Sequence, residues 1–185
     1  MLMFISGLAV FFALHFATAT PVVRQRLVMA IGGNAWKGVV ALGSLAAVVL
    51  ISIGWKFAPS TVLFAPSPLA IRLAPVLVTI ALMLFVIGGG NLKAYIRRPL
   101  HHPMLVGVII WSGTHLLANG GLRETVLFGS FLVFAVYALC SLMLAGKRAT
   151  FVPAAKWDAI GIGIGLFVAV GVMHSHKWLF GVAVA

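Results

Sequence analysis

The chain has 185 residues, 63% of them hydrophobic and 8% charged, with 13 lysines and arginines against 2 acids. A soluble domain of this length carries a charged shell of about a quarter of its residues, and that shell is missing, so lipid is the solvent this composition suits. The net charge of +11 does not mark a nucleic-acid surface, because the cations sit between apolar runs as membrane anchors do.

One span needs about 20 mostly apolar residues. The first runs roughly over 2–20 and stops at Pro21, as proline stops helices. Ala17-Thr18-Ala19 resembles a signal-peptide cleavage site, but no Lys or Arg precedes the apolar run, so the first span is read as retained. The second covers 35–57, with Asn34 placed to cap it. Pro59, Pro66 and Pro68 make 58–68 a loop, and Leu63 and Phe64 direct it to the membrane interface. The third span, 70–88, ends in Gly88-Gly89-Gly90-Asn91, a stop signal. The fourth starts at Pro103 and ends near Asn119-Gly120-Gly121. At about 16 residues it must thin the bilayer or be shielded by neighbours. The fifth covers 125–145. Cys140 lies within it and reads as packing, and a lone cysteine builds no disulfide framework. The sixth covers 159–173, with a possible extension to 178, and Gly161 and Gly165 form a small-xxx-small pair for close helix packing. The expected fold class is therefore all-α: a polytopic transmembrane helix bundle of about six spans, one domain over 1–185.

Cations give the orientation. Arg24, Arg26, Lys37, Lys93, Arg97, Arg98, Lys147, Arg148 and Lys156 fall on one side; Lys56, Arg72, Arg123 and Lys177 fall on the other. The richer side belongs in the cytoplasm, which puts both termini outside. Trp36, Trp55, Trp157 and Trp178 lie near span ends, whereas Trp111 lies inside the fourth span.

An ionisable residue within a span is a functional candidate by default. His15 and His115 are the two that qualify, and the competing reading for each is a neutral imidazole bonded to another helix. Two histidines on different helices can ligate opposite faces of a haem iron, and a flat apolar cofactor suits this setting better than a bare ion. With Glu124 and Asp158 the only acids, neither a carboxylate-bridged metal pair nor a carboxylate dyad is expected. His15 lies about 9 Å along its helix from Pro21 and His115 about 18 Å from Pro103, a mismatch that tilt must absorb. His102 falls at or near the N-cap of the fourth span, with Arg97 or Arg98 beside it, where a propionate could dock; by composition alone an ordinary positive-inside loop is the preferred reading. Asn119 lies one turn after His115 and Trp111 one turn before it; capping is the expected role of Asn119. His174 and His176 are expected in a solvated interface at the end of the sixth span.

The segments Gly7-Leu8-Ala9 to His15, Gly33-Asn34-Ala35-Trp36-Lys37-Gly38, His102-Pro103-Met104-Leu105-Val106-Gly107, Trp111, His115-Leu116-Leu117-Ala118-Asn119-Gly120 and Lys177-Trp178-Leu179-Phe180-Gly181-Val182 resemble the NnrU family of bacterial membrane proteins. That family is associated with nitrite and nitric oxide reduction in denitrifying bacteria. It is also similar to plant 15-cis-zeta-carotene isomerase, a haem b membrane enzyme. The resemblance implies His15 and His115 as iron ligands and His102 as an important non-ligand. Tyr137-Ala138-Leu139-Cys140-Ser141 departs from the more polar pattern of relatives, and no role carries over to it.

The resulting expectation is a bacterial inner-membrane protein binding haem b through His15 and His115, with His102, Arg98, Trp111 and Asn119 around the cofactor, and no catalytic residue assigned. Its partners would be membrane lipid, an apolar small molecule and a membrane reductase, with no nucleic acid. Two alternatives stand beside nitrogen-oxide metabolism: haem-dependent cis–trans isomerisation of a polyene lipid, and a non-catalytic assembly factor or subunit of a reductase. A transporter fits less well, for lack of an inverted repeat or paired broken helices.

Overall fold

A computed structural model describes residues 1–146 and 150–181, leaving out the side chains of Leu179 and Phe180. Lys147 and Arg148, two of the cations used for orientation, lie outside the described residues. Eight helices are present among the described residues: α1 (Leu2–Ala19), α2 (Pro21–Ile31), α3 (Gly33–Phe57), α4 (Pro68–Gly89), α5 (Arg97–Leu100), α6 (Pro103–Ala118), α7 (Leu122–Leu144) and α8 (Ala155–Phe180). Of these, α1, α3, α4, α7 and α8 are long and apolar enough to cross a membrane. The sixth expected span is α6, whose 16 residues reach about 24 Å.

The helices pack in the spatial order α3, α1, α7, α6, α4, α8, each against the next. The short α6 is thus flanked by α7 and α4, the shielding a short apolar helix needs. Small residues set the close crossings. A side chain at Gly7 would collide with the backbone of Ala47 and Ile51 on α3, and one at Gly165 would collide with Met83 on α4. The Gly161–Gly165 pair therefore packs α8 on α4. The core is built from Phe4, Leu8 and Phe12 of α1 with Phe134 and Ala138 of α7. The outward faces stay apolar, with Leu42 at 72% and Phe167 at 80% exposure, surfaces that only lipid can cover at low cost.

Polar contacts fix the direction of each helix. Ser141 Oγ donates to Ala19 O, and Thr20 pairs with the Tyr137 hydroxyl, so α1 and α7 end at the same side. The amide of Ala154 donates to Lys93 O, which brings the start of α8 to that side as well. At the opposite side, the Leu122 amide donates to Thr61 O and Leu63 N–H to Gly120 O, pinning the 58–67 loop over the turn between α6 and α7. Gly120 is obligatory there, because a Cβ would run into the Phe64 carbonyl.

Several expectations change. Residues 21–31 form a helix with no buried residue rather than a plain connection. Gly32, at φ 86°, makes the break before α3, so Asn34 lies inside the first turn instead of capping it. The last helix begins at Ala155 and runs through the histidine-rich end to Phe180. Cys140 is an exposed free thiol on α7 rather than a packing residue.

Candidate functional site

His15 lies four residues from the end of α1 and His115 three from the end of α6, so each sits where its helix approaches a membrane face. In both, the ring Nδ1 lies 2.8 Å from the carbonyl four residues earlier, Phe11 O for His15 and Trp111 O for His115. A carbonyl only accepts, so Nδ1 carries the proton and donates. In the neutral ring this leaves the Nε2 lone pair bare, the state a metal ligand needs. The competing expectation of a bond to another helix is not met by either of these bonds; each Nδ1 is held by its own helix. His174 makes the same bond to Val170 O on the exposed side of α8, so the hydrogen bond alone does not single out a site.

Aromatic surroundings do. Half-buried His15 stacks on Phe11 at 4.0 Å and meets the edge of Phe134 at 5.8 Å. Half-buried His115 lies 5.3 Å from Trp111 and 4.7 Å from Phe128. Phe131 contacts Phe11 and Phe12 on one side and Trp111 on the other, at 5.1–5.4 Å. The two imidazoles are therefore joined in series through Phe11, Phe131 and Trp111, all on one face system built around α7. Phe128, Phe131 and Phe134 follow a three-residue step along α7. His15 beside Phe134 and His115 beside Phe128 differ in depth by six residues, about 9 Å. That is the same offset the helix-end distances imply.

Asn119 is the C-cap residue of α6, and its Nδ2 donates to His115 O at 2.7 Å. It caps the helix that carries His115 rather than touching the ring. Trp111 is both ring neighbour and carbonyl partner of His115. His102 is the N-cap residue of α6 without a side-chain capping bond, half-buried, thirteen residues from His115. That is about 20 Å along the axis, so the two stand at opposite ends of α6. Arg98 is exposed on α5. Arg97 is engaged elsewhere, donating to Asn91 Oδ1 and Leu92 O.

His176, expected in a solvated setting, is half-buried. Phe11, Phe128, Phe131 and Phe134 were not singled out; the one available signal was the three-residue spacing of phenylalanines in the fifth span. Among the described residues no group of three or more His, Cys, Asp or Glu gathers, so no site for a bare ion is built from protein ligands alone. The donor set that does exist among the described residues is two imidazoles on α1 and α6 in aromatic and aliphatic surroundings, with Phe11, Phe131 and Trp111 between them; imidazole is a ligand type that haem iron accepts.

Alternating apolar helices around a histidine-bearing aromatic centre define a multi-pass helical membrane protein. The family model described as NnrU protein matches residues 3–184, and the chain belongs to the NnrU family. No curated protein and no solved structure matches it.

Proposed function

We propose that the protein binds haem b through His15 and His115 and serves nitrite or nitric oxide metabolism in the bacterial inner membrane, with the cation-rich end in the cytoplasm. What supports this reading is the setting of the two histidines: each Nδ1 is held by a backbone carbonyl at 2.8 Å, which leaves the Nε2 lone pair unprotonated in the neutral ring, each ring packs among aromatic side chains, and both helices pack against α7. The denitrification link rests on family membership.

In this reading His15 and His115 hold the cofactor, which supplies one-electron redox chemistry when bound. The Phe11 and Trp111 carbonyls keep each ring in one tautomer and one direction. Phe128, Phe131 and Phe134 exclude water from the histidines and present apolar rings to a flat ligand. Asn119 holds the end of α6 and so the position of His115. His102 and Arg98 mark the basic end of α6, where anionic groups would be neutralised. Protein purified from haem-replete cells should show a Soret band that is lost in the His15→Ala/His115→Ala double variant. A colourless preparation overturns the reading.

One observation favours a second reading, isomerisation of a polyene lipid. An open groove of about 430 Å³ lies between α1 and α7, lined by Phe12, Phe16, Val126 and Val133 with Thr125, Gly129 and Ser130. It offers an apolar surface on α1, the helix that carries His15. Expression in cells that accumulate a poly-cis carotene tests it: a changed isomer pattern supports catalysis, an unchanged one removes it. Retention of the cellular role with all six histidines replaced would instead favour an assembly factor or subunit of a membrane reductase.

A further inference from the structure

A second polar centre lies at the cation-rich end of the molecule, between the α4–α5 loop and the start of α8. The loop between α4 and α5 turns back at Asn91, whose φ is 50°. The segment before α8 is fastened onto it by the Ala154 amide on Lys93 O at 3.0 Å. Both oxygens of Asp158 accept from the amides of Tyr95 and Ile96, at 2.8 and 3.2 Å. Between these two strips of chain lies a cavity of about 240 Å³, lined by Asn91, Lys93, Arg97, Thr150 and Phe151.

Arg97 is held here from several sides. One terminal nitrogen donates to Asn91 Oδ1 at 2.7 Å and to Leu92 O at 3.0 Å. The guanidinium carbon stands 5.1 Å from the Phe151 ring centroid, a cation–π contact. Arg97 also lines the cavity, and a guanidinium held in one orientation on a cavity wall presents a fixed positive charge that suits an oxyanion. Lys93 adds a second positive charge and Thr150 a hydroxyl. No carboxylate competes: of the two acids in the chain, Asp158 is spent on two amides and Glu124 is paired with Arg123 at the far end of α7.

We propose that this cavity is a phosphate-binding site, in which Arg97 and Lys93 hold a phosphate oxyanion and Thr150 donates to it. The phosphate has two possible sources, the headgroup of an anionic lipid or a soluble phosphate compound, and both present the same oxygens. Neither His15 nor His115 lines this cavity, so its test does not depend on whether they hold a haem.

The test uses the full chain purified in detergent and then placed in nanodiscs. Inorganic phosphate is titrated and followed by ³¹P line broadening. Retention of phosphatidylglycerol against phosphatidylcholine is measured in parallel. Arg97→Gln and Lys93→Gln are compared with Arg24→Gln, an exposed cation of α2. Exposed Lys93 carries the test if Arg97→Gln does not fold. The proposal expects binding that weakens about tenfold in Lys93→Gln and Arg97→Gln and is unchanged in Arg24→Gln. Saturable phosphate binding without lipid selectivity assigns the site to a soluble phosphate. Phosphatidylglycerol retention without a phosphate response assigns it to a lipid headgroup. Absence of both, or equal effects in all three variants, overturns it.

Discussion

A histidine whose Nδ1 donates to the carbonyl one turn back has lost a rotamer and a tautomer in exchange for a directed Nε2. His15 and His115 both stand in that state, and Phe131 lies between their aromatic neighbours. Phe131→Ala should therefore disturb two helix contacts at once, α1 on α7 and α6 on α7. The expected loss is on the order of 3 kcal/mol, with a lower thermal midpoint and less haem retained on purification. Phe167→Ala, at 80% exposure, removes no protein contact of this kind and serves as the reference. Equal midpoints for the two variants would contradict the bridging role of Phe131. Sequence reasoning could find the histidines, because a titratable group in an apolar run is conspicuous. It could not find Phe11, Phe128 or Phe134, because a phenylalanine in a span is ordinary until tertiary packing decides what it faces.

Among elements, α6 is short and lies inside a frame of longer ones. Its far end is held by the Asn119 cap and by the loop whose Phe64 carbonyl crowds Gly120. Gly120→Ala forces that loop away and should cost about 1–3 kcal/mol, read as a lower midpoint in detergent. On α8, Gly165→Leu collides with Met83, whereas Gly163 has nothing within 4 Å of an added Cβ. Gly165→Leu should destabilise by a similar amount and Gly163→Leu hardly at all; the reverse order would mean that α8 docks on α4 through another face. The long spans were legible from hydropathy and from Pro and Gly punctuation, which is why the bounds of α4 and α6 differ little from expectation. The helix α2 was not, since Arg24, Gln25 and Arg26 interrupt any apolar run and no residue of it is buried. The start of α3 was misplaced because Gly32, with its positive φ, breaks the chain where a polar Asn34 looks like the cap.

For the whole molecule, helix directions gather Arg24, Arg26, Lys37, Lys93, Arg97, Arg98 and Lys156 at one end and leave Lys56, Arg72, Arg123 and Lys177 at the other. In a Cys140→Ser background, Arg72→Cys should react with a membrane-impermeant maleimide in intact spheroplasts, and Arg24→Cys should react only after lysis. Labelling in the opposite sense would invert the orientation. The pairing of α1 and α6 across α7 was within reach of the sequence only as a requirement of the two-histidine idea, since no periodicity specifies which helices adjoin. The most direct test of that idea is the spin state of the iron in each single variant. If one haem is held by both histidines, the purified protein should be six-coordinate and low-spin by absorption and electron paramagnetic resonance, and both His15→Ala and His115→Ala should abolish that state. A wild-type spectrum retained in either single variant contradicts the account.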